Sequence, residues 1–486
     1  MIGFVRTLTA ALAAALVMAG NAAAVDVGVV DDYGIAPTNS PAFFDSLAAL
    51  GMRENRLSIS WDSEAPTTIP NQYALEQYVA IATLRGIRIV FAVAPTKATA
   101  ITSNPGAAGA FAAFLTQLAR AFPTVKDYVV GNEPNQPRFW QPQFNRRGQP
   151  LAPAAYYALL ARSYDALKGV DPAISVIGLG LSPRGNDQPR APENVSMSPV
   201  RFLNGVGKAY RRSGRKRPIM NALSIHPYPD RDTDTLLKGY RWPNAGTPNL
   251  DRIKQAFWDA FNGTAQPTFR EGRSRGAITL RLGEIGWQVA VVPSAAGAYF
   301  GSESVRPTSE ANQARIYAQA IRYLACDPSV QSMLFFLLRD EPDLERWQAG
   351  LVRADGSRRP SFETVRAAVT QTGGRCPGRM RSWRHTTKVA GARVRFPRKR
   401  VFPARRLVLA LVANAEEDAA VEAALYRGNR RVLRRTATVK AYRSRIVRFS
   451  TRFRPGRYTF RVTFRAAMNP KRTRRFSAPL RITGRR

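Results

Sequence analysis

The sequence predicts an eight-fold β/α barrel (a TIM barrel) followed by a small all-β sandwich of the Ig-like type, and three observations predict this α/β architecture. Over residues 25–372, short β-branched segments alternate eight times with longer segments of helical apolar spacing. Residues 25–372 are long enough for such a barrel, which needs about 250 residues or more with insertions. From residue 388 the apolar period changes to two, as in antiparallel strands. A doubly wound open sheet is the alternative, but the first strand is not followed by a glycine-rich phosphate turn.

The predicted barrel strands are short runs rich in valine, isoleucine and leucine. They comprise residues 25–30, 54–61, 87–93, 128–132, 175–180, 221–226, 277–284 and 332–338. Helical spacing is clearest in residues 41–50, 106–121, 154–169 and 309–325. Ser309 is a suitable N-cap for the last of these helices, and residues 360–372 are expected to form the closing helix.

Residues 373–387 have the composition of a linker, with Gly-Gly, a proline and mixed basic residues, and residues 388–486 form the predicted sandwich. Its predicted strands are residues 393–396, 406–413, 419–426, 434–440, 446–453 and 457–465. In the last strand, aromatic and apolar residues alternate with arginine and threonine, which indicates one buried and one solvated face. Six or seven short strands in about 100 residues favour an antiparallel sandwich.

The charge of the chain is strongly positive and unevenly distributed. Of 486 residues, 73 are Lys or Arg and 34 are Asp or Glu, a net charge of +39. Residues 373–486 hold 33 of the basic residues and four of the acidic ones, a net +29. This surplus predicts that the C-terminal domain binds an acidic cell-wall polymer, an acidic polysaccharide or nucleic acid.

A general arginine bias is the alternative explanation, because arginine outnumbers lysine 62 to 11 in the whole chain. Nucleic acid is the least favoured partner. The arginines alternate along strands, and we expect no aromatic residues between them on that face to stack on bases.

The N-terminus has the pattern of a secretory signal peptide over residues 1–24. Arg6 supplies the positive start, residues 8–19 form an apolar run, and Ala22-Ala23-Ala24 supplies the small-residue cleavage pattern. The run is shorter than the ~20 residues that span a membrane, so we expect a secreted, extracellular protein without a membrane span.

The two cysteines and two histidines exclude a disulfide-scaffold fold and an all-histidine metal centre. In an oxidising compartment Cys326 and Cys376 are expected to form a structural disulfide, with two unpaired buried thiols as the alternative. No clustered spacing of His, Cys and Asp is present, so we expect neither a metal nor another cofactor.

Two glutamates end predicted strands. Asn132-Glu133-Pro134 closes the fourth strand, and Glu284 closes the seventh. Active sites of such barrels lie at the C-terminal ends of the strands, so both side chains are expected at the barrel mouth. Two carboxylates flanking one bond are what glycoside hydrolysis needs: one protonates the leaving oxygen and the other attacks the sugar carbon. A single strand-end glutamate, in contrast, is more often an exposed charge.

These motifs resemble the clan of retaining glycoside hydrolases that have an eight-fold β/α barrel and catalytic glutamates on strands four and seven. Residues 131–135, followed by Phe139-Trp140, are similar to the family 39 pattern, and His226-Pro227-Tyr228 and residues 56–61 are similar to family 5. The resemblance covers residues 25–372.

The resemblance implies a glycosidase, with Glu133 as general acid/base and Glu284 as nucleophile. It also implies that Asn132 hydrogen-bonds the sugar 2-hydroxyl, that Tyr228 contacts Glu284, and that Arg56 lies beneath Glu284. For Arg56, the alternative is a role in closing the barrel floor.

Further residues are predicted to bind the substrate. His226 ends the sixth strand, with a packed strand-end histidine as the alternative. Trp140, Trp242 and Trp287 are candidate stacking surfaces, although ordinary packing explains each equally well. Asp31, Asp32 and Asp340 follow the first and last strands and are candidates to bind sugar hydroxyls.

A non-catalytic barrel that binds glycan or cell wall, with a polyanion-binding basic tail domain, is the alternative function. The third strand ends in Val93-Ala94-Pro95 rather than in a polar residue, and residues 336–340 at the end of the eighth strand lack the tryptophan found in many relatives. The sugar, the linkage and the choice between exo and endo action remain open.

Overall fold

The computed structural model describes residues 24–404 and 406–484. The predicted signal peptide, residues 1–24, lies outside the described residues apart from Ala24. The eight barrel strands are β1 (Asp26–Val30), β2 (Glu54–Trp61), β3 (Arg88–Pro95), β4 (Asp127–Val130), β5 (Ser175–Leu181), β6 (Ala222–Ile225), β7 (Thr279–Ile285) and β8 (Val330–Phe336).

Helices follow the strands and surround them. They are α1 (Ser40–Ala49), α2 (Gln72–Leu84), α3 (Ala100–Ser103), α4 (Ala107–Ala121), α5 (Ala152–Val170), α6 (Pro199–Ser213), α7 (Leu250–Phe261), α8 (Glu310–Leu324) and α9 (Pro360–Thr372). The Ser309 side chain accepts a hydrogen bond from the backbone N–H of Asn312, so the predicted N-cap of α8 is confirmed. No helix in the described part of the chain is both long enough and apolar enough to cross a bilayer.

The eight strands form one closed parallel barrel in chain order, with β8 paired to β1. The predicted barrel is therefore confirmed. Small apolar residues of several strands fill the barrel interior: Val90, Ala92, Val129, Ile177 and Ala222. The larger apolar core lies outside the strands, between them and the helices, as the alternation of strand side chains requires. Parallel closure brings the C-terminal ends of all eight strands to one mouth.

A buried ion-pair network lies at the opposite end of the barrel, where strands begin. Arg281 of β7 bonds Glu54 of β2 at 3.0 Å and Asp127 of β4 at 2.6 Å. Arg88 of β3 also contacts both acids. These four side chains close the barrel floor.

The C-terminal domain contains two antiparallel-rich sheets packed face to face. Its strands are β9 (Arg393–Arg395), β10 (Val401–Pro403), β11 (Arg406–Asn414), β12 (Ala419–Arg427), β13 (Arg430–Val439), β14 (Arg445–Arg452), β15 (Gly456–Ala466) and β16 (Thr473–Thr483). One sheet has the order β10-β16-β15-β12-β13 and the other β14-β11-β9. The predicted all-β domain is confirmed. Strands β10 and β16 were not predicted, because β10 has three residues and Pro479 interrupts the pattern of β16.

The outward face of the five-stranded sheet differs from expectation in one residue. Tyr426 of β12 lies under the guanidinium of Arg461 of β15, 4.3 Å from ring centroid to Cζ. The expectation that no aromatic residue lies among the arginines of that face is therefore wrong. The reason is the register, which places an outward residue of β12 beside β15.

The sandwich is docked against α6 and α7 by buried charges. Arg472 pairs with Glu417 at 2.6 Å within the sandwich and with Asp259 of α7 at 3.0 Å. Arg201 of α6 pairs with Asp418 at 3.0 Å. The two domains thus share ion pairs across their contact.

Residues 373–387, the predicted linker, lie against the barrel rather than extending from it. Cys326 and Cys376 form a disulfide, so their predicted pairing is confirmed. Trp383 of the same segment is buried and pairs with Gly272 through the backbone. The segment is thereby attached to the barrel at two points.

Candidate active site

The candidate site lies at the barrel mouth, where β4, β6 and β7 end, and also includes a residue from within β2. Arg56 comes from β2 and Glu284 from β7, while Glu133 and His226 follow β4 and β6 directly. Among the residues proposed from sequence, these four, Asn132 and Tyr228 are brought together by direct contacts.

Glu133 is held in an uncommon backbone conformation. Its φ is +36°, which is rare for a residue other than glycine, and its N–H donates to the carbonyl of Gly180 at 3.0 Å. The tight turn after β4 is also supported by Gly131, whose N–H donates to the carbonyl of Val93 at 2.7 Å. Backbone strain of this kind concentrates at functional sites, and here it fixes the direction of the Glu133 side chain.

Glu284 is bound on both carboxylate oxygens. Nη1 of Arg56 donates to Oε1 at 2.7 Å, and the hydroxyl of Tyr228 donates to Oε2 at 2.9 Å. The other guanidinium nitrogen, Nη2, donates to Oδ1 of Asn132 at 2.8 Å. This leaves the amide of Asn132 turned with its oxygen toward Arg56, so its NH₂ group is the part available to a ligand.

His226 links the two carboxylates. Its Nδ1 lies 3.0 Å from Oε1 of Glu133 and 3.4 Å from Oε2 of Glu284. A proton on Nδ1 is thus placed to be donated toward both acids. The ring fits because the neighbouring residue on β7 is Gly283: a Cβ there would lie 3.0 Å from Nε2 of His226 and 2.6 Å from Oγ of Ser224.

The two carboxyl groups have opposite pKa shifts. Burial raises the pKa of the Glu133 carboxyl, and the nearby charge of Glu284 raises it further, against the lowering effects of His226 and Arg56. Burial alone would also raise the pKa of Glu284, but His226, Arg56 and Tyr228 outweigh it and hold that pKa below its ordinary value. The site therefore favours a proton on Glu133 over a proton on Glu284.

Glu133, His226 and Glu284 each offer one ligating atom, and these atoms lie within 4.8 Å of one another. Among the described residues, these three side chains form the group of acids and histidines whose spacing would suit a metal ion. The Arg56 guanidinium already binds Glu284 and opposes a second cation there. The arrangement suits proton transfer and nucleophilic attack better than metal binding.

The predicted tryptophan platforms do not face the site. Trp140 is 2% exposed and packs edge-on against Tyr156. Trp287 is 1% exposed, and its Nε1–H donates to the carbonyl of Asp234 at 2.9 Å. Trp242 lies beneath Arg201 near the sandwich. The expectation that Trp140 and Trp287 bind substrate is corrected, because core packing buries both rings.

Asp31 is likewise used inside the chain. Its carboxylate accepts hydrogen bonds from the backbone N–H groups of Tyr33, Leu338 and Arg339, so that it ties the end of β1 to the segment after β8. Burial raises the pKa of Asp31 to about 7. Asp340 is buried in an ion pair with Arg359. The expectation that Asp31 binds sugar hydroxyls is replaced by a role in closing the barrel.

Trp347 is the aromatic residue at the mouth that sequence reasoning missed. Its half-buried ring lies 5.0 Å from the ring of Tyr228 and 5.3 Å from that of Phe336, the last residue of β8. The loop after β8 therefore delivers a tryptophan beside the site, although the strand end itself has none. Trp347 could have been predicted from one feature of the sequence: it is a single tryptophan in the loop after β8, which passes the barrel mouth.

No family model matches the sequence, and a search of curated proteins found no match. Among solved structures, the chain is similar to a family 39 glycoside hydrolase from Bacteroides cellulosilyticus WH2, with 16% identity over 88% of this chain and 81% of that one, at a TM-score of 0.47.

It is also similar to a monomeric beta-xylosidase from Caulobacter crescentus CB15, with 13% identity over 88% of this chain and 94% of that one, at a TM-score of 0.45. A glucosidase from Croceicoccus marinus matches with 14% identity over 87% and 92% of the two chains, at a TM-score of 0.47. At such identities and TM-scores these matches assign neither an activity nor a substrate to this chain.

Proposed function

We propose that the protein is a secreted retaining glycoside hydrolase that cleaves O-glycosidic bonds by double displacement. One observation carries the proposal: a carboxylate oxygen of Glu133 and one of Glu284 lie within 4.8 Å, and the two acids have opposite pKa shifts. Retaining enzymes hold their carboxyl groups about 5–5.5 Å apart, whereas inverting enzymes need about 6.5–9.5 Å to admit a water. The short separation supports the retaining mechanism.

In the first step, Glu284 attacks the anomeric carbon while Glu133 gives its proton to the departing glycosidic oxygen. The C–O bond to the leaving group breaks as the bond to Glu284 forms, which leaves a glycosyl ester on the enzyme. In the second step, the ionised Glu133 takes a proton from water, and the resulting nucleophile displaces Glu284. The product keeps its anomeric configuration.

The surrounding residues set the protonation states that both steps need. Arg56 and Tyr228 stabilise the negative charge of the Glu284 carboxylate before the attack. They stabilise it again when hydrolysis of the glycosyl ester releases the carboxylate. In this proposal the NH₂ group of Asn132 hydrogen-bonds a substrate hydroxyl, and the half-buried ring of Trp347 stacks on a sugar.

Export is part of the proposal and rests on residues 1–24 of the sequence. The Cys326–Cys376 disulfide supports it, because disulfides persist in oxidising compartments.

The test uses the full chain with a panel of 4-nitrophenyl glycosides. Glu284→Gln is expected to lose activity by a factor on the order of 10⁴ or more, because no nucleophile remains. The matched control is Glu76→Gln, which makes the same change at an exposed position of α2. NMR of the first product should show retained anomeric configuration. Inverted product, or an active Glu284→Gln variant, would overturn the mechanism.

A further inference from the structure

The outward surface of the five-stranded sheet forms a groove among arginines. Alternation along β12 turns Val421, Ala423 and Leu425 into the sandwich core and leaves the residues between them outside. We call the following outward residues the arginine face: Glu422, Ala424, Tyr426, Arg434, Arg461, Thr463, Arg465, Arg475 and Ser477.

The register of the sheet places the guanidinium groups around a small residue. Ala424 lies between Arg434 of β13 and Arg461 of β15, and Arg461 in turn lies beside Ser477 of β16. Arg475 of β16 lies opposite Thr463 of β15, in the next outward-facing pair of the same two strands. Neighbouring strands are about 4.8 Å apart, so Arg461 and Arg475 border one depression that Ala424 also lines.

This depression has a volume of about 430 Å³. Its lining includes Tyr426, Arg461, Thr463, Arg475 and Ser477. The groove thus combines planar cations, hydroxyl groups and two aromatic residues, Tyr426 and Phe476.

The charge of the groove is poorly compensated. Among the outward positions described on β12, β13, β15 and β16, Glu422 is the one acid. Glu422 already pairs with Arg434 at 2.9 Å and approaches Arg465 at 3.7 Å. Arg461 lies over Tyr426, which holds its guanidinium in place over the groove.

The outward face of the three-stranded sheet also carries arginines, in a different setting. There Val408, Ala410 and Val412 of β11 separate Arg395 of β9 from Arg448 and Arg452 of β14. The arginine face therefore differs from that surface in its groove and in the hydroxyl groups beside its arginines, rather than in the presence of arginine.

We propose that the arginine face binds a linear polysaccharide that bears carboxylate or sulfate groups. Arginine forks bind such oxyanions with two parallel hydrogen bonds, and the threonine and serine hydroxyls suit sugar hydroxyls. Nucleic acid is disfavoured, because Arg461 lies over the half-buried ring of Tyr426 and Phe476 packs against Phe464 of the core, so neither ring is open to a base. The binding does not depend on hydrolysis by the barrel, so the two proposals fail independently.

The test measures binding of the full chain by isothermal titration calorimetry at low salt and at 150 mM salt. The polymers are polygalacturonate, dextran sulfate, uncharged dextran and single-stranded DNA. The double variant Arg461→Glu/Arg475→Glu changes the groove, and Arg448→Glu/Arg452→Glu makes the same charge change on the other sheet. Tyr426→Ala alters the groove without changing the charge.

The groove double variant is expected to weaken binding of an anionic polysaccharide at least tenfold, with a smaller loss for Tyr426→Ala and little change for the Arg448/Arg452 variant. Preference for polygalacturonate or dextran sulfate identifies carboxylate or sulfate as the bound group. Equal losses in both double variants, tighter binding of DNA, or no binding of either polyanionic glycan would overturn the proposal. Circular dichroism checks that each variant is folded. If Arg461→Glu/Arg475→Glu fails to fold, Arg461→Gln/Arg475→Gln is measured in its place.

Discussion

Nη1 of Arg56 lies 2.7 Å from Oε1 of Glu284, although 228 positions separate the two residues in the chain. Closure of the barrel brings Arg56 of β2 and Glu284 of β7 to one site, and the ion pair joins the two strands there. The Arg56 side chain is 3% exposed, so its charge depends on Glu284 for compensation. The contact that favours an ionised Glu284 therefore also joins β2 to β7 across the barrel.

Replacement of His226 by alanine is expected to move the pH optimum to higher pH. His226 lowers the pKa of Glu133 and of Glu284, so its loss raises both. The acidic limb of kcat/KM reports ionisation of Glu284, and the basic limb reports loss of the proton from Glu133. Both limbs should shift upward in a pH profile measured with an aryl glycoside.

His385→Ala is the matched control, since that histidine stacks on Trp258 beside the sandwich. Its pH profile should coincide with that of the unaltered protein. A limb that moves to lower pH in His226→Ala would contradict the assignment of the two acids.

Tyr228→Phe removes the hydroxyl that donates to Oε2 of Glu284 at 2.9 Å. A hydrogen bond to a charged group contributes about 1.5–3 kcal/mol, so kcat/KM is expected to fall about tenfold to a hundredfold. The acidic limb of the pH profile should also rise, because the hydroxyl lowers the pKa of Glu284. Tyr73→Phe, at an exposed tyrosine of α2, should leave both quantities unchanged. Unaltered kinetics in Tyr228→Phe would show that the hydroxyl is not used.

Trp347→Ala is expected to raise KM more than it lowers kcat. Aromatic stacking contributes about 0.5–1.5 kcal/mol beyond burial, which corresponds to a KM about twofold to tenfold higher. Trp347→Phe keeps a ring beside Tyr228 and should restore much of the affinity. A fall in kcat with unchanged KM would instead indicate that Trp347 positions Tyr228.

The strand order and the two acids followed from local sequence. Apolar periodicity defined all eight barrel strands, and parallel closure then required Glu133 and Glu284 to share the mouth. The predicted bounds of β2 and α9 agree with the structure, since both segments are flanked by clear breaks in pattern. The contacts that Arg56 and Tyr228 make with Glu284 were implied by the resemblance and are present.

Side chains outside the strand ends could not be assigned in this way. Trp140 and Trp287 follow the two glutamates closely, yet the loops turn both rings into the core. Trp347 reaches the mouth through a long loop whose path no periodic pattern encodes. A tryptophan has the same local sequence signal in either place, and only tertiary packing decides whether its ring is exposed.

Removal of the disulfide by Cys326→Ser/Cys376→Ser is expected to lower the free energy of unfolding. The bridge closes a loop of 50 residues, which corresponds to about 4 kcal/mol in the chain-entropy model. Urea denaturation measures the change. Dithiothreitol should lower the midpoint of the unaltered protein and leave that of the double variant in place. Equal stability of the two proteins under oxidising conditions would contradict a stabilising role.

Arg281→Met is expected to destabilise the barrel without changing its chemistry. Arg281 neutralises Glu54 and Asp127 at the floor, where all three side chains are buried. Removing one partner of such a network leaves uncompensated charge and costs about 3–5 kcal/mol, whereas Arg85→Met breaks an exposed pair and should cost less than about 1 kcal/mol. Denaturation gives both values, and kcat measured well below the unfolding midpoint should be unaffected in either variant. A loss of kcat in folded Arg281→Met would mean that the floor network also sets the geometry of the mouth, since β7 carries both Arg281 and Glu284.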